Sequence, residues 1–476
     1  MLTLSLSLLA YQLPTRPLPP AMSPTRIVRM SSAVTHGSEA EYLASLEGHM
    51  LPAGFRCGVC GFQFNPVELG GASSAVMNLT LLALDAPTED WAAVFTRNRF
   101  PGAPVKVGKT RLAAGGALQA VVVNNKISNV CAADDGVAAS EAVCRGVASA
   151  LSLTGGADAV LPMSTGVIGW RLPVDDMLQE LPTAAAALTV GSALPAAQSI
   201  MTTDRFPKLR SVQACGGTLV GFAKGAGMIE PDMATMLAFV LTDVAVPCDA
   251  LRPMLRRAAD ASFNAASVDA DQSTSDTLVC LSSGAQLGAA PLDAAGCEAF
   301  EAALTELCAQ LAEDVVRNGE GTTHVIRVTV RGAPTDDLAR GAGKAVINSP
   351  LFKSAVAGND PNVGRLVSAV GSYLGRAAPD VDLSACTMAM GGQTIFKNGE
   401  FALDAKTEDE LYEHMLGACL VAPTPPGGAK PASLPYPPHE RCVEIEVDLG
   451  VGDGACVVHG SDLTHEYVSI NADYRS

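Results

Sequence analysis

Residues 224–237 read KGAGMIEPDMATML, and they lead into an apolar run at 236–242. The run has the composition of a buried strand, so Thr235 is predicted at the start of a strand, behind a flexible glycine-rich approach at 216–227. A self-cleaving N-terminal-nucleophile enzyme needs this arrangement, because the Thr235 hydroxyl can attack the Ala234 carbonyl and hydrolysis then frees an α-amine on Thr235. That amine can serve as general base near neutral pH. On spacing alone, a glycine loop before a core strand is the simpler interpretation.

Composition excludes several classes of protein. The 476 residues are 48% hydrophobic and 17% charged, so the chain can bury a sizeable core and is not disordered as a whole. Its net charge of −17 has the wrong sign for nonspecific binding to nucleic acid. No apolar run beyond the N-terminus is long enough for a membrane span. Neither nucleic acid nor a membrane is therefore expected as a partner.

The cysteines and histidines do not form a metal-binding pattern. The 13 cysteines are an odd number scattered through apolar segments, which indicates reduced, buried thiols. Cys57 and Cys60 are the one close pair, and no second Cys or His pair stands at zinc-ligand spacing. The seven His form neither HExxH nor HxH. No metal is predicted, and plain packing is the preferred interpretation of Cys57 and Cys60.

The first 38 residues differ in composition from the rest. Residues 1–38 contain no Asp, Glu or Lys, carry three Arg, and are rich in Ser and Pro. This bias is typical of a cleavable organellar transit segment, which predicts the mitochondrial matrix or, alternatively, the plastid stroma. A disordered tail is the other interpretation. The folded body is predicted from about Leu51.

Strands and helices are interspersed along the body without a regular βα period. Apolar patterns predict strands at 76–84, 121–123, 236–242, 324–331 and 443–449, and helices at 139–153, 248–260 and 292–312. Asn318 followed by Gly319 is a predicted helix C-cap, and the Pro- and Gly-rich 423–438 is a predicted loop. This order favours a layered α+β fold over a doubly wound sheet.

The segment KGAGMIEPDMATML resembles, nearly residue for residue, the self-cleavage segment of the ornithine acetyltransferase (glutamate N-acetyltransferase, ArgJ) family of arginine biosynthesis. Further segments match in the family's order: 163–169 (MSTGVIG), 200–204 (IMTTD), 262–264 (SFN), 267–277 (SVDADQSTSDT), 318–322 (NGEGT), 349–353 (SPLFK), 358–362 (GNDPN) and 467–476 (YVSINADYRS). The resemblance runs from about Leu51 to Ser476. It implies a layered α/β sandwich of the self-cleaving N-terminal-nucleophile-like (DmpA/ArgJ) type, made of an α chain, 51–234, and a β chain, 235–476.

The resemblance also implies roles for single residues. Cleavage falls between Ala234 and Thr235, Thr235 is the nucleophile that carries acetyl as an ester, and Thr165 and Gly166 form the oxyanion hole. The residues implied to bind substrate, together with Thr235, are Thr202, Lys224, Glu320, Asn471 and Ser476. Lys224 is expected to pair with a substrate carboxylate and Glu320 with an ammonium group.

The implied activity is transfer of acetyl from N²-acetyl-L-ornithine to L-glutamate through acetyl-Thr235, in a ping-pong cycle. The resemblance implies a heterotetramer of two α and two β chains and no cofactor. Acetyl-CoA as a second donor is left open by the sequence. The alternative is a related N-terminal-Thr aminopeptidase or amidohydrolase, in which water replaces glutamate. A structural relative that has lost catalysis is a second alternative.

The segment 124–133 departs from the family pattern. Lys126 and Ile127 stand where the family has Gly and Asn. These larger side chains are expected to add bulk at the wall of the pocket.

Overall fold

The computed structural model of the chain describes residues 34–70, 73–230, 236–286, 290–421 and 433–473. Its strands are β1 (Phe55–Phe64), β2 (Ala75–Thr88), β3 (Trp91–Phe95), β4 (Leu118–Asn124), β5 (Val160–Ser164), β6 (Lys208–Ala214), β7 (Gly217–Lys224), β8 (Leu237–Thr242), β9 (Ala266–Ser267), β10 (Thr277–Ser282), β11 (Val325–Ala333), β12 (Thr387–Met390), β13 (Gln393–Lys397), β14 (Glu400–Phe401), β15 (Val443–Asp448) and β16 (Gly454–Ser461). Its helices are α1 (Glu39–Leu46), α2 (Ala103–Ala114), α3 (Gly136–Ala150), α4 (Val174–Ala186), α5 (Leu194–Ser199), α6 (Cys248–Ala261), α7 (Ala294–Arg317), α8 (Asp336–Ile347), α9 (Pro350–Ala357), α10 (Val363–Ala377), α11 (Ala405–Ala418) and α12 (His465–Asp473).

Two sheets pack face to face. One has the strand order β1-β2-β4-β5 and the other β3-β10-β8-β7-β6. Buried side chains from both sheets, among them Leu82 and Phe239, form one core between them. Helices α3 and α4 cover the outer face of the first sheet, and α6 and α7 cover that of the second. The predicted layered α+β class is therefore confirmed.

Strand β8 lies at the centre of the second sheet, where it pairs parallel with β10 and antiparallel with β7. All 6 of its residues are buried, which explains why its sequence is an unbroken apolar run instead of an alternation. Strands β3, β6 and β7 precede residue 234, whereas β8 and β10 follow it. The two halves of the chain therefore interleave within one sheet, in the order first, second, second, first, first.

The third sheet, in the order β14-β13-β12-β15-β11-β16-β9, is built from the second half of the chain. Residues of α8, α9 and α10, including Phe352 and Leu366, form its core with β11 and β15. Strands β11 and β16 are antiparallel, and Val325 lies opposite Ser461. This pairing brings the residues before β11 next to the residues after β16, where α12 begins.

The strands and helices predicted from the sequence are all present, with their ends shifted by a few residues. The predicted C-cap is confirmed, because α7 ends at Arg317 and the N–H of Asn318 donates to Asp314 O. Most of the predicted loop at 423–438 lies outside the described residues, and 433–438 contain no helix or strand.

The glycine-rich segment 216–227 is not the flexible loop that its composition predicted. Residues 217–224 form β7, most of which is buried. At Gly221 an added Cβ would come within 2.7 Å of Leu311 Cδ1, because α7 lies directly against the strand. The glycine content here reflects close packing of a helix on a sheet, and not flexibility.

The folded chain begins before the predicted Leu51. Helix α1 buries Tyr42, whose hydroxyl donates to a backbone carbonyl at 2.7 Å, and Thr35 forms an isolated β-bridge with His439. Residues 1–33 of the predicted transit segment lie outside the described residues, so that segment stays a prediction.

The close cysteine pair lies in β1. Cys57 is buried, and burial raises the pKa of its thiol to about 12. Within the described ranges, no three His, Cys, Asp or Glu side chains are grouped as metal ligands. No helix among the described residues is long and apolar enough to cross a bilayer.

A buried ion pair connects the chain before β11 to the end of β16. His324 Nδ1 lies 2.9 Å from Asp462 Oδ2, and its Nε2 lies 3.0 Å from Asn359 Oδ1. Burial by itself lowers the pKa of His324, but the hydrogen bond and charge of Asp462 outweigh it and raise the pKa to about 10. His324 therefore keeps its proton at neutral pH, and the pair holds two loops together.

We expect His324→Gln to lower the free energy of unfolding by about 3 kcal/mol at pH 7, because it leaves the Asp462 carboxylate without its charged partner. The folded-state pKa lies above the ordinary 6.5, so the pair's contribution is complete below pH 6.5 and is lost as the pH rises through about 10. The difference between parent and variant should therefore shrink from pH 7 to pH 10.

Urea unfolding of both proteins at the two pH values measures this difference. His465→Gln, the same substitution at an exposed position of α12, is the control and should change the free energy by about 0.5 kcal/mol or less. A difference that stays constant or grows with pH would show that His324 is not charged in the folded state.

Candidate active site

A cavity of about 200 Å³ lies where β5 and β7 end and β8 begins. The predicted site residues that line it are Thr165, Gly166, Thr202, Lys224, Glu320 and Asn471. They come from both halves of the chain, which the fold brings together at this point. The other predicted site residues, Ala234, Thr235 and Ser476, lie outside the described residues.

Met236 is the first described residue after the predicted cleavage bond. It is 3% exposed and lines the cavity. Its carbonyl accepts the N–H of Thr277 at 2.9 Å, which continues the parallel pairing of β8 with β10 toward the cavity. The entry of the chain into β8 is therefore fixed by the sheet itself.

Thr165 and Gly166 directly follow β5. The N–H of Thr165 donates to Asn124 O at 3.1 Å, so the pairing of β4 with β5 extends past the end of the strand. Gly166 has a φ of +116°, and an added Cβ would lie 2.2 Å from Lys126 O. Only glycine fits this turn, which holds Thr165 and the Gly166 backbone at the cavity wall.

Lys224, the last residue of β7, is 9% exposed and bridges two threonines. Its Nζ donates to Thr165 Oγ1 at 2.8 Å and to Thr202 Oγ1 at 3.2 Å. A protonated lysine has three N–H donors, so one remains for a ligand in the cavity. Because the Thr165 hydroxyl accepts from Lys224, its own hydrogen remains available for donation into the cavity.

The carboxylate of Asp204 organises the polar side of the site. Its Oδ2 accepts the N–H of Thr202 at 2.9 Å, and its Oδ1 accepts the N–H of Gly225 at 2.7 Å. Oδ1 also pairs with Lys208, whose Nζ donates to Asn318 Oδ1 at 2.7 Å. Lys208 is fully buried, so this network connects three segments of chain within the protein interior.

The charges of the network compensate one another. Burial raises the pKa of Asp204, but the nearby Lys208 and Lys224 outweigh this and hold it well below its usual value. Burial lowers the pKa of Lys224, and the negative charge of Asp204 offsets part of that effect. Asp204 is therefore ionised, and Lys224 loses its proton more readily than a lysine in water.

Glu320 and Asn471 form the opposite side of the cavity. The N–H of Glu320 donates to Ala226 O at 2.8 Å, which fixes the loop after α7 against the end of β7. Asn471 Nδ2, on α12, donates to Glu320 Oε2 at 2.9 Å. A carboxylate has about four acceptor positions, so Glu320 can also accept from a cationic ligand.

The bulk of Ile127 is not at the pocket wall, contrary to expectation, and Lys126 is not among the described residues that line the cavity. Asn124 Oδ1 accepts the N–H of Ile127 at 3.1 Å, and the Ile127 side chain is buried in the core between the first sheet and its helices. The cavity is lined by Ser128 at this point, whose hydroxyl donates to Gly166 O. The local turn therefore directs the Ile127 side chain away from the site.

Sequence reasoning assigned no role to two acidic residues of the site, Asp204 and Asp276. Asp276 is 2% exposed and lines the cavity. Both lie in Thr-, Ser- and Asp-rich segments that, without a structure, indicate polar turns. For Asp276 one signal was available. It directly precedes the apolar run that forms the fully buried strand β10, and a residue next to a buried strand is expected to be buried as well.

Comparison with known proteins identifies the family. The profile of the ArgJ family matches residues 65–476. The arginine biosynthesis bifunctional protein ArgJ of Nitratidesulfovibrio vulgaris is 39% identical over 421 residues, which cover 87% of this chain and 98% of that protein. Its counterpart in Bartonella quintana is 38% identical over 424 residues, which cover 87% of this chain and 95% of that protein.

A crystal structure of the arginine biosynthesis bifunctional protein ArgJ from Bacillus halodurans is 30% identical, with a TM-score of 0.42, and covers 50% of this chain and 98% of that one. The family profile covers most of the present sequence, and the curated relatives match it over nearly their full length. The resemblance read from the residues is thereby confirmed: this chain belongs to the ArgJ family.

Proposed function

We propose that this chain transfers acetyl from N²-acetyl-L-ornithine to L-glutamate through an acetyl ester on Thr235. As a member of the ArgJ family, whose relatives are named arginine biosynthesis bifunctional proteins, the chain is an acyltransferase of arginine biosynthesis. The observation that carries the finer proposal is the bridge from Lys224 to Thr165 and Thr202, in a cavity that Met236 borders.

The proposed cycle is prepared by self-cleavage. The Thr235 hydroxyl attacks the Ala234 carbonyl carbon, the peptide shifts from nitrogen to oxygen, and water hydrolyses the resulting ester. The products are an α chain ending at Ala234 and a β chain with a free α-amine on Thr235. The pairing of β8 with β10 supports this proposal, since it would keep the β chain in the sheet after cleavage.

Acetyl transfer then uses the same hydroxyl. Thr235 Oγ1 attacks the acetyl carbonyl of the donor, and the α-amine takes the hydroxyl proton. Negative charge develops on the carbonyl oxygen, where the Thr165 hydroxyl and the Gly166 N–H act as donors. The fixed turn at these two residues supports this role, because donors that need no reorientation stabilise a transition state best.

The amino acids are proposed to bind in turn at one set of polar groups. The remaining N–H donor of Lys224 pairs with a substrate carboxylate, and Glu320 accepts from an ammonium group. Thr202, Asn471 and Ser476 orient the substrate. Because ornithine leaves before glutamate enters, the kinetics are ping-pong.

The broader organisation is also part of this proposal. The α and β chains assemble as a heterotetramer of two copies each, and no cofactor is required. Acetyl-CoA serves as a second acetyl donor, in line with the word bifunctional in the relatives' names. The composition of residues 1–38 supports import into the mitochondrial matrix, with the plastid stroma as the alternative.

Purified protein should transfer acetyl from N²-acetyl-L-ornithine to L-glutamate, and double-reciprocal plots at several glutamate concentrations should be parallel, as a ping-pong cycle requires. Without glutamate, the release of ornithine should fall to a slow hydrolytic rate. Release that is equally fast with and without glutamate would identify a hydrolase. Replacing the donor with acetyl-CoA in the same assay tests the second activity.

Denaturing electrophoresis of mature protein, purified from its organelle, should show two chains. N-terminal sequencing should give Thr-Met-Leu for the β chain and a start beyond the leader for the α chain. Thr235→Ala should give one chain of their summed length, because no hydroxyl remains to begin the shift. A fully active single chain in the parent protein would contradict the proposed mechanism, and the organelle that holds it decides the compartment.

Thr165→Ala should lower kcat by about 10²- to 10³-fold, which is the usual cost of one oxyanion-hole donor, and KM should change little. Thr110→Ala removes the same group from the exposed face of α2 and serves as the control, with unchanged kcat. Steady-state kinetics of both variants measure the effect. An unchanged kcat in Thr165→Ala would mean that its hydroxyl only completes a turn.

A further inference from the structure

The cavity contains a carboxyl group that the proposed cycle does not use. Asp276 is 2% exposed and lines the cavity beside Lys224 and Glu320. Its Oδ2 is buried and has no hydrogen-bond partner among the residues that the structure describes. An ionised oxygen in this position is costly, so the group is suited to holding a proton or contacting a ligand.

The backbone places Asp276 level with Met236, the residue that follows Thr235 in the sequence. Thr277, the next residue, donates its N–H to Met236 O at 2.9 Å and lies opposite Leu237 in the parallel pairing. Asp276 therefore directly precedes β10, just as Met236 directly precedes β8. The N–H of Thr96 donates to Asp276 O at 3.0 Å, which fixes the backbone from the other side.

The surroundings favour the neutral acid. Burial raises the pKa of Asp276 well above its usual value, while a hydrogen bond from the Ser273 hydroxyl and the charge of Lys224 act in the opposite direction. Among the described residues, the charged groups that line the cavity with it are Lys224 at the end of β7 and Glu320 in the loop after α7. A buried carboxyl group that keeps its proton can give that proton to a ligand in the cavity.

We propose that Asp276 is a further catalytic residue, which gives a proton to the amino group leaving the acetyl carbon and takes one from the amino group that enters. This inference rests on the proposed acetyl transfer. As the acetyl carbon forms its bond to Thr235 Oγ1, the hydroxyl proton passes to the α-amine. When the carbon–nitrogen bond breaks, its electron pair stays on nitrogen, which takes the Asp276 proton and leaves as a neutral amine.

The second half of the cycle restores the acid. The Asp276 carboxylate takes a proton from the ammonium group of glutamate, and the resulting amine attacks the acetyl ester. As the bond to Oγ1 breaks, the oxygen takes the proton of the α-ammonium group. The freed α-amine accepts the surplus proton of the new amide nitrogen and releases it to water, so every proton and electron pair is accounted for.

The decisive comparison uses two acetyl donors, one whose leaving group needs a proton and one whose leaving group does not. Asp276→Asn keeps the size of the side chain but cannot donate this proton, so kcat/KM with N²-acetyl-L-ornithine should fall at least ~100-fold. Acetylation by p-nitrophenyl acetate should change less than about threefold, because nitrophenolate departs as an anion. Asp271→Asn, an exposed carboxyl on the same loop, is the control and should match the parent with both donors.

Equal losses with both donors would show that Asp276 only supports the structure, and no loss would exclude it from the chemistry. An inactive parent would overturn the proposed function together with this inference, whereas an active parent with an equally active Asp276→Asn overturns the inference alone. Release of a β chain beginning at Thr235 verifies that each variant has folded and matured.

If Asp276→Asn does not mature, Ser273→Ala gives an independent test. It removes the hydrogen bond that favours the carboxylate, so Asp276 should hold its proton to higher pH. The alkaline limb of kcat/KM against pH should therefore shift upward with the amide donor and not with p-nitrophenyl acetate. An unshifted limb, or the same shift with both donors, contradicts the assignment.

Discussion

The buried charge of Asp204 is the interaction on which the site depends. One carboxylate accepts the N–H groups of Thr202 and Gly225 and pairs with Lys208, so it positions the loop before β6 and the turn after β7 together. Without it, Lys208 and Lys224 would be two buried like charges near each other, an arrangement that costs several kcal/mol. The position of Lys224, and through it the Thr165 hydroxyl, follows from this compensation.

The sequence predicted most of the fold because the central strands are buried on both faces. The run from Leu237 to Thr242 is apolar almost throughout, which is typical of a buried strand. The end of helix α7 is marked by Asn318 and Gly319, which form a C-cap. The error at 216–227 has a clear physical origin. Glycine is used both where a chain must bend and where a helix must approach a strand, and only the position of Leu311 distinguishes the two at Gly221.

Part of the site could also be predicted from the sequence, but for a different reason. Thr165, Lys224 and Glu320 were identified by resemblance, since nothing in their local spacing separates them from ordinary turn or surface residues. Asp204 and Asp276 were not predicted as site residues, because their importance comes from being buried. Whether a polar residue is buried depends on segments that are distant in the sequence. Ile127 shows the converse, because its bulk suggested an altered pocket while a turn at Asn124 directs it into the core.

The interleaving of the second sheet has a consequence for how the protein is made. Strands β8 and β10 insert between β3 and β7, so the half that a ribosome delivers first cannot complete its sheet until the later half arrives. Until then it presents open strand edges, which favour aggregation. The proposed scission after residue 234 would be irreversible, and β8, which follows it, is paired on both sides only once this sheet has closed. Under the proposed mechanism the cut would thus work as a checkpoint: a chain that stalls or misfolds would not gain the Thr235 amine that the proposed transfer needs.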